Sequence, residues 1–186
     1  MNDLMKIRHE LDLSAELIIE LMYQRMQISS CVDSFFLKEI EIKFDDELSQ
    51  NIYEQLKSEL CQTYESFFSN INKKVGTLCT SEDFQLYQAI VQRIMLGVIV
   101  ARIKYTTEQQ TYQQLFSKKD YNGIENKLSD IQRENLVLEN IRCKASRFSD
   151  EKFTEKAFEF FKEYIIPLTK KIELIWIVNT IEIENK

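Results

Sequence analysis

The chain has 186 residues, of which 44% are hydrophobic and 29% charged, and its formal net charge is −6. A chain of this length forms one domain that buries roughly 70% of its unfolded surface, so it needs no disulfide or metal for stability. The acidic balance excludes general nucleic-acid binding, which requires a basic surface, and we therefore predict no nucleic-acid partner.

Other classes of protein are excluded by what the sequence lacks. The longest apolar stretch, Ile94–Ala101, is far shorter than the ~20 residues of a membrane helix, so we predict no membrane association. The first six residues contain no hydrophobic signal core, which predicts a cytoplasmic protein, with secretion as an effector or after removal of a signal as the alternative. We predict no cofactor and no metal, because His9 is the only histidine and no C-x-x-C pair occurs among Cys31, Cys61, Cys79 and Cys143.

The scarcity of glycine and proline predicts an all-α protein, a bundle of long helices. The first helix is predicted from about Asp3 to about Ile40, because apolar residues recur at steps of three and four. Asp45 is predicted to cap a second helix, and residues 72–80 to form a loop. A capping box at Thr80–Asp83 opens a third helix, whose apolar middle predicts a position at the centre of the bundle.

The C-terminal third is predicted to be helical as well. A break at Ser117–Gly123 precedes a fourth helix, and Asp150 caps a fifth helix that Pro167 breaks or kinks. The isoleucine-rich stretch Lys171–Ile183 fits a helix or a strand, and the all-α context favours a helix. We predict a helical core over residues 1–116 and a helical extension over residues 117–186, packed on the same domain.

Two arginines, Arg8 and Arg25, bracket the apolar stripe of the first helix. They are 17 residues apart (25 − 8), close to five turns, so they are expected on roughly one face and about 25 Å apart. At that distance they hold different anions, or one of them reaches across a dimer. The alternative is that both form ordinary salt bridges with neighbouring glutamates.

The stretch from Arg8 to Arg25 resembles the N-terminal helix of the all-helical chorismate mutase family, R-x-x-I-D-x-x-D-x-x-[IL]-x-x-L-L-x-x-R. The matching positions are Arg8, Leu11, Asp12, Ile18, Leu21, Met22 and Arg25, while Ala15 replaces the second aspartate. Asp45 lies 20 residues after Arg25 (45 − 25), where the family has an aspartate that opens the second helix. The resemblance covers about residues 4–105.

The resemblance implies that the chain binds a small dianionic ligand, chorismate, and rearranges it to prephenate, acting as an isomerase. In the family, one arginine serves the partner subunit's site and the other its own, which implies a homodimer. Cations hold the carboxylates, and a lysine with a second polar group supports the ether oxygen, where negative charge develops. On this basis the candidate catalytic residues are Arg8, Arg25, Lys38 and Asp45.

Several positions depart from the family's pattern. The expected lysine falls on Phe36, two residues before Lys38, and the expected polar pair of the third helix falls on Ile94 and Val98. An arginine–glutamate pair after Asp45 falls on Leu48 and Ser49. We therefore keep two hypotheses: a chorismate mutase-like protein that is active or a degenerate pseudoenzyme, and a non-enzymatic helical interaction protein such as a regulator or bacterial effector.

Overall fold

The computed structural model describes residues 3–28, 34–71 and 81–186, and within these ranges every regular element is a helix. The prediction of an all-α helical bundle is therefore confirmed. The eight α-helices are α1 (Asp3–Met26), α2 (Ser34–Glu39), α3 (Glu47–Ile71), α4 (Ser81–Ser117), α5 (Tyr121–Leu128), α6 (Ile131–Ala145), α7 (Glu151–Phe160) and α8 (Ile166–Glu184).

Helix α4 is the centre of the bundle, as its apolar sequence predicted, and both α1 and α8 pack along it. Its residues Ile94, Val98 and Ala101 are almost completely buried in one continuous core, which also includes residues from every other α-helix. By length and composition, α4 alone among the described helices could cross a membrane. Two thirds of its most apolar window is buried, however, so this hydrophobicity is used for packing inside the bundle.

The ends of several helices differ from the prediction. The first helix ends at Met26, and a separate helix begins at Ser34, so the predicted single helix to Ile40 is wrong. The predicted fourth helix is two helices, because Asp130 caps α6 by accepting a hydrogen bond from the backbone N–H of Arg133. The predicted loop over residues 72–80 lies outside the described residues.

Capping explains where helices α3 and α7 begin. Asp46 caps α3, accepting from the backbone N–H of Ser49 at 2.8 Å, so the capping role predicted for its neighbour Asp45 is wrong. Asp150 caps α7 as predicted, accepting from Phe153 N at 2.9 Å. Both carboxylates satisfy an N–H group that has no partner within its own helix.

The chain from α7 to α8 is helical without interruption, although it contains Pro167. A π-helical turn, Phe161–Ile165, joins the two α-helices just before Pro167, which lies in the first turn of α8 and has no backbone N–H to donate to the preceding turn. The stretch Lys171–Ile183 lies within α8, so the preference for a helix over a strand is confirmed.

Candidate functional site: a cationic cavity between α4 and α8

A cavity of about 290 Å³ lies between α1, α4, α6 and α8, and we call it the α4–α8 cavity. This volume is close to the lower limit of small-molecule sites, roughly 300 Å³. Apolar side chains form much of its wall, and charged groups converge in it. Its polar lining residues are Arg8, Asp12, Arg93, Lys104, Asp130, Arg133, Glu134, Asn140, Thr169, Lys170 and Glu173.

Helix α4 contributes one face to the cavity, carrying Arg93, Val100 and Lys104. The 11 residues between the two cations (104 − 93) correspond to three turns plus about 20°, so both point toward the same side, about 16 Å apart along the axis. Helix α8 crosses this face and brings Thr169 and Glu173 to it, since residues four apart lie on one side of a helix. The crossing of α4 and α8 therefore assembles the inner part of the cavity.

Arg93 is the most unusual residue of the cavity. Its side chain is 5% exposed, and its Nε and Nη1 atoms have no hydrogen-bond partner among the described residues. Burial lowers the pKa of Arg93 to about 10, opposed by the charge of Glu173, so the guanidinium remains protonated at neutral pH. A buried cation with unsatisfied donors is costly unless a ligand completes it, and the planar guanidinium matches a carboxylate.

Lys104 and Glu173 form an ion pair inside the same cavity. Lys104 Nζ lies 2.8 Å from Glu173 Oε2 and also donates to the carbonyl oxygen of Leu128 at 2.6 Å. Burial raises the pKa of the Glu173 carboxyl, against the lowering effect of Lys104, Lys170 and Arg93. A carboxyl group with a raised pKa is protonated over a wider pH range and can then donate a hydrogen bond.

The rim of the cavity carries further charge. An ion pair of 2.8 Å between Lys170 and Glu134 connects α8 to α6. Arg8, on α1, is exposed and lines the cavity, and Arg133 lines it from α6. Neither of these two arginines forms an ion pair with a described residue, so three arginines, including Arg93, are available to an anion in a chain of net charge −6.

The structure does not bring the four residues predicted from the sequence together. Arg8 lines the cavity, whereas Arg25, Lys38 and Asp45 are not among its lining residues. The side chains of Lys38 and Asp45 are exposed, Lys38 at the end of α2 and Asp45 before α3. The prediction that Arg8 and Arg25 share a face is wrong, because 17 residues make 4.7 turns, which leaves them about 100° apart.

Arg25 is buried in the core on another side of α1. Its side chain is 1% exposed, and its Nε lies 2.5 Å from Oδ1 of the fully buried Asp83 at the start of α4. The hydroxyl of Tyr64 on α3 donates to the same oxygen at 2.6 Å. The group therefore connects three helices, and its cation is matched by a carboxylate within the protein.

The positions that suggested a degenerate site lie elsewhere as well. Ile94 and Val98 are core residues of α4, and Ser49 is buried and donates to Asp46, the cap of α3. The side chain of Phe36 lies outside the described residues. None of these positions is among the residues that line the α4–α8 cavity, which carries charged groups instead.

The sequence did carry a signal for the cavity. Arg93 and Lys104 are the cations at the two ends of the face that α4 presents there, 11 residues apart in the helix that holds the longest apolar stretch of the chain. A cation in such a helix needs a specific partner. The sequence did not predict that Thr169 and Glu173 of α8 line the cavity, because periodicity alone does not show which face of a helix packs against another helix.

Metal binding receives no support from the side chains that the structure describes. No group of three or more histidine, cysteine, aspartate or glutamate residues within the described ranges is arranged to hold a metal ion. The described thiols, Cys61 and Cys143, form no disulfide.

No family model matches the chain, but searches of curated proteins find chorismate mutases. The enzyme of Schizosaccharomyces pombe is 30% identical over 106 residues, which cover 52% of this chain and 42% of that protein. The enzyme of Pichia angusta is 28% identical over 119 residues, which cover 58% of this chain and 42% of that protein. The enzyme of Saccharomyces cerevisiae is 26% identical over 116 residues, which cover 58% of this chain and 45% of that protein. Each match spans less than half the length of the curated relative.

A solved structure shows the same fold over nearly the whole chain. It is the Aro7p chorismate mutase from Candida albicans, in complex with L-Trp, with a TM-score of 0.65 and 20% sequence identity. The superposition covers 96% of this chain and 92% of that one. The C-terminal helices that line the α4–α8 cavity are therefore part of the shared all-helical fold.

Proposed function

Because the chain is a divergent member of the chorismate mutase family, we propose that it rearranges chorismate to prephenate in the α4–α8 cavity. The observation that carries the proposal is the buried Arg93, whose Nε and Nη1 atoms are unpartnered beside Lys104 and Glu173. The guanidinium of Arg93 is a suitable partner for a planar carboxylate. The match to curated mutases does not favour the alternative of a non-enzymatic interaction protein.

The reaction makes limited chemical demands. Chorismate is a dianion that rearranges in one pericyclic step, in which a carbon–oxygen bond breaks as a carbon–carbon bond forms. No nucleophile or metal ion is required. The protein has to hold the compact conformer of the substrate and to stabilise the negative charge that develops on the ether oxygen. A cavity with several cations and one carboxyl group of raised pKa can do both.

We propose that these tasks are divided among different residues of the cavity. In the proposal, Arg93 binds one carboxylate of the substrate from inside, and Arg8 binds the other from α1. Lys104 and Glu173, 2.8 Å apart, are close enough to donate to the same ether oxygen once Glu173 is protonated. Glu134 at the rim is an acceptor for the hydroxyl group of the substrate.

Protonation of Glu173 is central to this assignment. An ionised carboxylate next to the ether oxygen would repel the developing charge, whereas the neutral acid donates a hydrogen bond to it. Burial raises the pKa of Glu173, which favours the neutral form. The proton stays on Glu173 throughout, because the rearrangement transfers no proton, so this residue acts by hydrogen bonding alone.

We also propose that the chain forms a homodimer and acts in the cytoplasm. Two apolar side chains on α1, Leu13 and Leu17, are about half exposed and lie on one face, since they are four residues apart. Pairing of two copies would cover them. Light scattering of the purified protein tests the dimer, and a mass equal to one chain would contradict it.

The activity is tested by following the loss of chorismate absorbance with protein purified from a host that lacks its own chorismate mutase. The proposal predicts enzyme-dependent formation of prephenate and a rise in melting temperature with a bicyclic dicarboxylate that mimics the transition state. The Arg93→Gln variant, purified in the same way, is the matched control for contamination. Absence of turnover together with absence of a thermal shift in the unmodified chain would contradict the proposal.

A further inference from the structure

Gly97 occupies the point on α4 at which α8 approaches the cavity. It lies four residues after Arg93 and seven before Lys104, so it is within about 40° of Arg93 on the face that lines the cavity. The residues of α8 opposite Gly97 are Thr169 and Glu173, and both line the α4–α8 cavity. Gly97 thus lies between the two cations and beneath the two polar groups of the opposite helix.

The contact is too close for any larger residue to enter without movement. A Cβ atom at position 97 would lie 3.0 Å from the carbonyl oxygen of Thr169, 3.1 Å from its Cγ2 and 3.6 Å from Cγ of Glu173. The nearest of these atoms belongs to the backbone of α8 and cannot rotate away as the end of a long side chain can. A methyl group there would displace the helix itself by a few tenths of an ångström.

Glycine is otherwise a poor choice in the middle of a helix, because it loses more backbone entropy on folding than alanine. Gly97 has helical backbone geometry and no positive φ, so conformational freedom does not explain its presence. Close approach of α8 remains as the physical reason. The groups fixed by that approach, Thr169 and Glu173, belong to the proposed site.

We propose that Gly97 is a positioning residue, whose missing side chain sets the distance of Thr169 and Glu173 from Arg93 and Lys104. This inference rests on the proposed function, because it assigns the spacing a role in catalysis. Productive geometry is held within about 0.5 Å and 10–20°, so a shift of α8 by a few tenths of an ångström uses up much of that tolerance. A displacement of α8 relative to α4 moves Glu173 away from the side of the cavity that holds the cations.

The test is Gly97→Ala, compared with Gly123→Ala, another glycine with close neighbours but on α5 outside the cavity lining. We expect Gly97→Ala to fold, since alanine favours the helix, and to lower kcat about tenfold or more with a smaller change in KM. Gly123→Ala should lower the melting temperature through the Asp120 cap and leave kcat unchanged. Equal kcat in Gly97→Ala and the unmodified chain would overturn the inference.

A second pair of variants covers the case in which Gly97→Ala does not fold. Thr169→Ser keeps the hydroxyl group and removes the methyl group that lies 3.1 Å from the new Cβ. The double variant Gly97→Ala/Thr169→Ser still crowds the carbonyl oxygen of Thr169, so it should have a lower kcat than Thr169→Ser alone. Equal kcat in the double variant and in Thr169→Ser would overturn the inference.

A readout that needs no turnover separates this inference from the proposed function. The Glu173 carboxyl can be titrated by 13C NMR in the unmodified chain and in Gly97→Ala, or in Gly97→Ala/Thr169→Ser against Thr169→Ser. If α8 is displaced, the contact with Lys104 changes and the midpoint of the titration shifts. If the unmodified chain does not convert chorismate, the proposed function fails. A shifted midpoint still supports the positioning role, and an unchanged midpoint overturns it.

Discussion

The ammonium group of Lys104 lies 2.8 Å from the carboxylate of Glu173, which links α4 to α8 inside the α4–α8 cavity. The distance places a cation and a carboxyl group of raised pKa within reach of one ligand atom. In the proposed reaction that atom is the ether oxygen of chorismate. The pair joins the two halves of the chain, since its members are 69 residues apart in sequence.

The pH dependence of turnover follows from the state of Glu173. Its pKa is raised by burial, so the neutral, hydrogen-bonding form is present at low pH and is lost as pH rises through the raised value. We expect kcat/KM to fall over that window. In Glu173→Gln the side chain is neutral at every pH, so the profile should be flat there. The measurement is the initial rate from acidic to alkaline pH. A decline in Glu173→Gln that matches the unmodified chain would assign it to another group.

The same raised pKa affects the stability of the fold with a defined sign. At Glu173 the folded state binds a proton more tightly than the unfolded state does. The stabilisation that results is complete below the pKa that Glu173 has in the unfolded state, and it is lost as pH rises through the pKa of the folded state. Glu173→Gln should remove that part of the pH dependence. Chemical denaturation of both proteins over the window tests this, and parallel stability curves would contradict it.

Arg93 should be required for activity but not for folding. Loss of a single charge-stabilising donor typically lowers kcat by about 10²–10³, so we expect such a loss in Arg93→Gln. Arg93→Lys should also be impaired, because an ammonium group does not reproduce the two-pronged contact of a guanidinium. Neither change should lower the melting temperature, since the guanidinium has unsatisfied donors in the unliganded protein.

Arg102 provides the matched control for that experiment. It is exposed on the same helix, it lies over the ring of Trp176, and it does not line the cavity. Arg102→Gln should retain turnover, because it changes the charge of α4 by the same amount without touching the site. Equal losses in the two glutamine variants would show that net charge, and not the cavity, explains the effect.

The Arg25–Asp83 pair should have the opposite profile, with an effect on stability and none on the chemistry. Removing one member of a buried ion pair leaves an uncompensated charge, so Arg25→Met should cost about 3–5 kcal/mol in the free energy of unfolding. The double variant Arg25→Met/Asp83→Leu should be less destabilised than Arg25→Met, because both charges are absent. Denaturant unfolding measures this, and simple additivity of the single losses would contradict it.

Arg8 and Lys38 distinguish the cavity from the residue set predicted by sequence pattern. Arg8 lines the α4–α8 cavity, whereas Lys38 is exposed and is not among its lining residues. Arg8→Gln should therefore raise KM and lower kcat/KM, and Lys38→Gln should leave both parameters unchanged. Steady-state kinetics of the two variants decide the matter, and a large loss in Lys38→Gln would place the site near α2.

The sequence predicts the fold of this chain better than its site. The central position of α4 and the cap at Asp150 depend on local signals, a continuous apolar helix and a carboxylate before a helix. The site depends on which faces of four distant helices meet. The π-helical turn Phe161–Ile165 adds a residue to its turn, which changes the direction in which Thr169 and Glu173 point. No local sequence pattern predicts this change in the direction of the side chains.

Arg25 shows why a family-like pattern can assign a fold and misplace a site. In the sequence it is a cation at the end of an apolar stripe, and so is Arg8. Burial separates them, since Arg25 is matched by Asp83 and Arg8 remains exposed at the cavity. The partner that neutralises Arg25 is 58 residues away in sequence. A charged residue that has such a partner inside the protein has a structural role, whereas one without it can bind a ligand.

The most direct measurement is a crystal structure with the bicyclic dicarboxylate that mimics the transition state of the rearrangement. We expect this compound to lie in the α4–α8 cavity, with one carboxylate on the guanidinium of Arg93 and its ether oxygen between Lys104 and Glu173. Binding at any other place, with no carboxylate on the guanidinium of Arg93, would contradict the assignment of the site.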